Sequence, residues 1–142
     1  MVLGEKLWEG KGKSSGEGSI KSIGMEGVTS EYSWTARVKG LGQAKGIDGV
    51  IHVTAIGMMP QKGVATEADQ GTFMTMTGDM GIIKGYGLMK MTRSNKPSAV
   101  GLWSFMTMSE KLSWMNEVIA IVTFEAIDPM WTEFNIAIHE WK

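Results

Sequence analysis

The sequence predicts an all-β fold, a closed or nearly closed antiparallel barrel of about eight strands with at most one short helix. Three observations predict it. The first is glycine: 19 glycines against 3 prolines in 142 residues, about twice the usual glycine frequency of roughly 7%. Each glycine costs a helix about 1 kcal/mol relative to alanine, whereas sheets use glycine at turns, bulges and bends. The second is a period of two between the glycines. The third is the regular return of turn residues at hairpin spacing. The length fits one domain spanning residues 1–142, large enough to bury a core without staples.

The elements follow in order. "KLWEGKGK" and "GSIKSIGMEG" read as a hairpin around Ser14 to Gly18. In "EYSWTARVKG", Tyr32, Trp34, Ala36 and Val38 share one face and Ser33, Thr35 and Arg37 the other, as in a half-buried strand. Lys39-Gly40-Leu41-Gly42 turns the chain into a strand predicted from about Gln43 to Ile56. Gly71–Thr77 and Gly81–Thr92 read as two strands joined at Gly78-Asp79. Ser94-Asn95-Lys96-Pro97 is a loop, since asparagine and proline favour turns. Ala99–Met108 is a strand. Ser109–Asn116 suits a short turn or helix, because Phe105, Met108, Leu112, Met115, Ile119 and Val122 also fit a helical spacing. The β-branched residues after Val118 end that option and predict a strand over Glu117–Asp128. Asp128-Pro129 turns into a last strand, Glu133–Trp141.

Composition narrows the function. Cysteine is absent, so there are no disulfides, thiolate ligands or cysteine nucleophile. A net charge of −1 gives no electrostatic drive toward nucleic acid or an anionic membrane. The start, "MVLGEKLWEG", lacks the apolar core of a secretory signal. Val118 to Val122 is too short an apolar run to span a bilayer. The expectation is a soluble cytoplasmic protein with no cofactor.

"GTFMTMTGDMGIIKGYG", "GLWSFMTMSEKLSWMNEVIAIVTFEAID" and the ending "IHEWK" resemble an uncharacterised family of small bacterial and archaeal proteins. That family is similar in architecture to allene oxide cyclase. The resemblance covers roughly Gly71 to Lys142. It implies an antiparallel barrel of eight or nine strands with a modest internal cavity, and no established activity. The cyclase's catalytic residues have no matched positions in this chain, so that activity is not carried over.

Candidate site residues are few. Met74 and Met76 share one strand face, as do Met89 and Met91. Thioethers can select monovalent copper when several converge, but methionine more generally fills irregular apolar space and adaptable binding surfaces. The expectation is that these four line the barrel interior and hold no metal. Glu117 and Glu125 share strand parity with Ile119 and Ile121. A carboxylate inside an apolar barrel would have a raised pKa and could act as a general acid or base. These two lie about 26 Å apart at strand rise, so each needs a partner from another strand, and His139 and His52 are the histidines available. No metal-ligand spacing joins them. "GKGKS" lacks a phosphate loop's first glycine, Leu7 standing there, and "GLGQAKG" has no following helix, so both read as turns. Trp103 and the other five tryptophans suit barrel filling, end capping or an interface.

Three functional readings follow. The favoured one is a barrel binding a small apolar or amphipathic ligand, lined by Met74, Met76, Met89, Met91, Trp103, Glu117, Glu125 and His139. The alternatives are an isomerase- or cyclase-type enzyme with a buried glutamate, and a structural oligomer without ligand. Val118, Ala120, Val122 and Phe124 lie on one face of a strand whose other face carries Ile119 and Ile121. Two apolar faces predict a core strand or an interface, hence a homo-oligomer, most simply a two-fold dimer.

Overall fold

The structure, a computed structural model, describes residues 3–16, 18–91 and 96–142, the side chain of Met91 excepted. The strands are β1 (Leu3–Ser14), β2 (Ser19–Gly24), β3 (Gly27–Gly40), β4 (Gly49–Pro60), β5 (Ala65–Thr75), β6 (Met80–Met91), β7 (Pro97–Thr107), β8 (Ile119–Ala126) and β9 (Glu133–Trp141). Short 3-10 turns occupy Gly42–Ala44 and Ser113–Glu117. Neighbours pair antiparallel in the order β1-β9-β8-β7-β6-β5-β4-β3-β2, and β1 also pairs with β3. That last pairing closes an eight-stranded barrel and leaves β2 as a flap hydrogen-bonded to β3 alone. Closure removes the unpaired edges that an open sheet would carry. Among the described residues no helix is long and apolar enough to cross a membrane.

Alternation decides what is inside. Trp34, Ala36 and Val38 of β3, Ile51, Val53 and Ala55 of β4, and Ala120, Val122 and Phe124 of β8 are all buried inward-facing positions. β1 breaks the rule: register shifts on either side of Lys6 let the adjacent Leu7 and Trp8 both be buried. Trp8 then anchors one end of the barrel. Its Nε1 donates to the carbonyl of Ile47 at 2.9 Å. Its ring stacks on Trp114 of the second 3-10 turn, with centroids 5.8 Å apart. Asn116 ties that turn down, accepting from the Thr107 N–H at 2.8 Å and donating to the Thr107 carbonyl at 3.2 Å. Leu112 and Met115 are fully buried beneath it. This end is plugged. The other end, where β4, β6 and β8 finish, we call the loop end; the loop expected at Ser94-Asn95-Lys96-Pro97 begins outside the described residues.

A second aromatic layer fills the barrel nearer the loop end. Trp34 and Trp103 stack with centroids 5.9 Å apart, and Phe124 meets both edge-on. Phe134 packs edge-on against Trp34, and Trp131 against Phe134. Such rings fit in so small a barrel only where a facing strand gives up its side chains. At Gly85 a methyl would run into the Trp103 ring and the Leu102 carbonyl.

The structure corrects several sequence expectations. The strand predicted from Gln43 begins at Gly49, because Gly42 takes φ +52° in a 3-10 turn and the Asp48 carboxylate accepts from the Gly40 N–H at 2.9 Å. The strand predicted from Gly71 begins six residues earlier, at Ala65. The hairpin does turn at Gly78-Asp79, with Gly78 at φ +92°. Its register, however, pairs Met74 with Met80 and Met89 with Ala65. The methionine pairs therefore lie at opposite ends of the barrel. Phe73 and Thr75 are the inward residues here, so Met74 and Met76 point outward, 48% and 69% exposed. The expectation that they line the interior does not hold.

Gly85→Ala should lower unfolding free energy by about 1–3 kcal/mol, as overpacking does, measured by urea denaturation. Met76→Ala, on the exposed outer face, should stay within about 0.5 kcal/mol of the parent.

Candidate functional site

β5 opens with "ATEADQ", which places two carboxylates on the strand. Ala65, Glu67, Asp69 and Phe73 share the inward face of the strand. Glu67 lies opposite Gly57 of β4 and Gly87 of β6, and Asp69 opposite Ala55 and Gly85. Small neighbours on both sides leave the two carboxylates room inside an apolar wall. Tyr32 of β3 lays its ring over Gly57, where a Cβ would come within 2.9 Å of the ring. Its hydroxyl donates to Glu67 Oε2. Trp103 Nε1 donates to Asp69 Oδ2 at 2.9 Å. The second oxygen, Asp69 Oδ1, is buried with no hydrogen-bond partner among the described residues. Asp69 is only 4% exposed, while Glu67 and Tyr32 are half-buried, closer to the loop end.

The electrostatics follow from this placement. Burial, then the neighbouring Glu67 charge, pushes the Asp69 carboxyl up to about 7, and the Trp103 hydrogen bond opposes them only in part. Burial also raises Glu67, against the pull of the Tyr32 hydroxyl. Burial and the two carboxylates hold the Tyr32 phenol above its ordinary range, so it remains a donor. Two like charges this close do not ionise independently. With its carboxyl raised to about 7, Asp69 is the member of the pair placed to exchange a proton near neutral pH.

A groove of about 440 Å³ runs over the loop-end rim between β6, β7 and β8. Met89, Ala99 and Phe124 contribute to it from inward positions, and Leu88, Val100 and Glu125 from outward ones. Trp131 sits at the same end in the β8–β9 loop. It adopts φ +57°, unusual for a residue with a side chain. The Asp128 carboxylate fixes that loop by accepting from the N–H groups of Met130, Thr132 and Glu133, and Ser14 Oγ donates to the Trp131 carbonyl at 2.7 Å.

The residues singled out from sequence scatter across this frame. Trp103 stands in the interior on Asp69, and Met89 and Glu125 meet at the rim groove. Met91 ends β6, and its side chain lies outside the described residues. Glu117 is exposed at the end of the second 3-10 turn, and Glu125 is exposed on the outer face of β8, so neither is an interior carboxylate. The parity of β8 is set by Ala120, Val122 and Phe124 pointing inward. His139 is half-buried on the outer side of β9, opposite Ile121 and Lys6. Its Nδ1 has no partner among the described residues, and burial, then Lys6, lowers its pKa. His52 faces outward and shares a hydrogen bond of 2.9 Å with Thr35 Oγ1. Among the described residues no three histidine, aspartate or glutamate side chains converge as a metal-ligand set.

Glu67, Asp69 and Tyr32, which form this candidate site, are not among the residues singled out from the sequence. A signal for the first two was present. They alternate in step with Phe73, and that parity places them inside once Phe73 is inside.

The chain matches no known family model and no curated protein sequence. Solved structures do resemble it. A β-barrel-like protein from Acinetobacter baumannii AYE superposes with a TM-score of 0.82 at 14% identity, over 99% of this chain and 96% of that one. A protein of unknown function from Clostridium acetobutylicum ATCC 824 gives 0.81 at 12% identity over the whole of both chains. An enzyme from Penicillium herquei gives 0.67 at 15% identity, over 99% of this chain and 94% of that one. At such identities the likeness is one of fold: small β-barrel proteins, one of them an enzyme.

The buried pair should make stability depend on pH in an unusual direction. Folded Asp69 keeps its proton up to about pH 7, whereas its ordinary value is 3.8. Between those values the folded state binds more protons than the unfolded one. Stability should therefore fall as pH rises from about 4 to about 7, by on the order of 4 kcal/mol, and level off above. Asp69→Asn should remove most of that slope in urea titrations at successive pH values.

Proposed function

We propose that this protein binds a small apolar or amphipathic molecule over the loop end of its barrel and performs general acid–base chemistry on it with Glu67 and Asp69. The observation that carries the reading is the inward-facing carboxylate pair itself. Two carboxyl groups on one strand face share an apolar site, one hydrogen-bonded by Tyr32 and the other by Trp103. Burying such a pair costs stability, and groups retained at that cost are candidates for proton transfer. With Asp69 raised to about 7, the pair is matched to proton exchange near neutrality.

The chemistry this permits is proton transfer at carbon next to a carbonyl, the step common to isomerisations and to some cyclisations. The ionised member of the pair takes the proton. The electrons of the broken C–H bond move into the carbonyl to give an enolate. The protonated member hydrogen-bonds the developing oxyanion and can return a proton to a different carbon. The aromatic layer of Trp34, Trp103 and Phe124 would contact the apolar body of the substrate, and Met89 and Ala99 its exit over the rim. The middle of the barrel is filled with rings, so the bound molecule belongs at the loop end. The resemblance of the second half to barrels of allene oxide cyclase architecture, and the enzyme from Penicillium herquei that shares the fold, support this reading as analogies of fold.

The test uses an aromatic ketone, 2-tetralone, in deuterated buffer, with α-proton exchange followed by NMR. The protein should accelerate exchange about 10²–10⁴-fold over buffer, the usual range for positioned acid–base groups. Glu67→Gln and Asp69→Asn should each remove most of that gain. Exchange at the same rate in parent and Glu67→Gln would refute the proposal. Quenching of tryptophan fluorescence by the ketone reports binding separately from chemistry.

A further inference from the structure

The outer surface of an antiparallel barrel normally alternates away from the core into polar side chains. Across β6 and β7 it does not. The outward residues pair across these strands as Ile82–Met106, Tyr86–Leu102 and Leu88–Val100. They are 40–76% exposed. The apolar surface continues onto β5 at Met74 and onto β8 at Ile119. Lys84 stands between Ile82 and Tyr86, opposite Ser104, and its stem can lie along the patch while its ammonium stays in water. The ion pairs Lys6–Glu9, Lys21–Glu31 and Lys142–Glu140 lie away from it, on β1, on β2 and β3, and on the end of β9.

The size of the patch decides its meaning. Taking about 150–220 Å² for a fully exposed large side chain, the exposed fractions of these eight residues amount to roughly 600–900 Å². The largest apolar patch on an ordinary monomer is about 300–600 Å². A stable protein–protein interface takes about 800 Å² from each partner. We infer that the β5–β8 outer face is a two-fold interface between copies of this chain. A second copy supplies the matching area without any further partner, because a two-fold contact sets the same patch against itself. Methionines and an exposed tyrosine are also the side chains that interfaces favour. On this inference Met74 has a use that the barrel interior does not give it. The loop-end carboxylates lie inside the barrel and not on this face, so the inference is carried by a different observation, although Leu88 and Val100 also line the rim groove and a second copy would cover that part of it.

Sedimentation velocity from 1 to 200 µM, with and without Leu102→Lys, tests it. The parent should sediment near twice 15.5 kDa, and Leu102→Lys should shift it to the monomer with the barrel's circular dichroism unchanged. Glu9→Lys, on the opposite surface, should remain dimeric, which guards against a general effect of added charge. A parent that is monomeric at 200 µM overturns the inference. So does a Leu102→Lys variant that folds and stays fully dimeric. Vesicles of mixed anionic and zwitterionic lipid provide the last arm: a monomer that floats with them through Leu102 would assign the face to a membrane and overturn the dimer.

Discussion

The hydrogen bond from the Trp103 indole to Asp69 joins the two halves of this molecule. On one side it belongs to the core. Trp103 stacks on Trp34, receives the edge of Phe124, and needs Gly85 opposite to lie flat. On the other side it gives a buried carboxylate its one hydrogen-bond partner among the described residues. One neutral donor does not balance the loss of water around a carboxylate. Desolvation and Glu67 therefore win, and the Asp69 carboxyl rises to about 7. The ring layer that stabilises the barrel is thus also the medium that perturbs the acid. Substituting either Trp103 or Gly85 would disturb both at once.

This coupling explains why the site sits where it does. At the plugged end Asn116, the Trp8 indole and the network from Asp79 to Ser109 and Thr77 are hydrogen-bonded, and the Nδ1 of half-buried His139 lacks a partner among the described residues. Toward the loop end lie a carboxylate oxygen without a partner among the described residues, a half-buried glutamate and a strained tryptophan. Local departures of this kind, here two carboxylates and a tryptophan, are what functional sites tend to show. Rigid strands hold Tyr32, Glu67 and Asp69, which suits a site that needs fixed donor geometry.

How much was legible in the sequence differs between fold and site. Alternation in "EYSWTARVKG" and "EVIAIVTFEAI" identified β3 and β8 as strands, because aromatic and β-branched residues mark strands strongly, but with both faces of β8 apolar it did not choose the inner one. The turn at Gly78-Asp79 was legible from glycine alone. The site was not, for two physical reasons. Ala65–Gln70 contains two carboxylates and two alanines, residues that strands disfavour, so the strand seemed to start only at Gly71. In "GTFMTMT" the methionines looked like the inner face because they are the more apolar set. The outer surface is itself apolar here, so hydrophobicity could not choose the face. Register with Gly81 and Ile83 of β6 settles it: Phe73 and Thr75 point inward and the methionines outward.

The central claim is that Asp69 keeps its proton up to near neutral pH, beside Glu67 and inside an aromatic wall. Carbon-13 NMR of the side-chain carboxyl groups, followed from pH 3 to 9, tests it most directly. The account predicts that the Asp69 resonance titrates near 7 and moves downward in Glu67→Gln, where the neighbouring charge is gone. An Asp69 carboxyl that titrates with the exposed carboxylates, near 4, and ignores the change at Glu67 would contradict it.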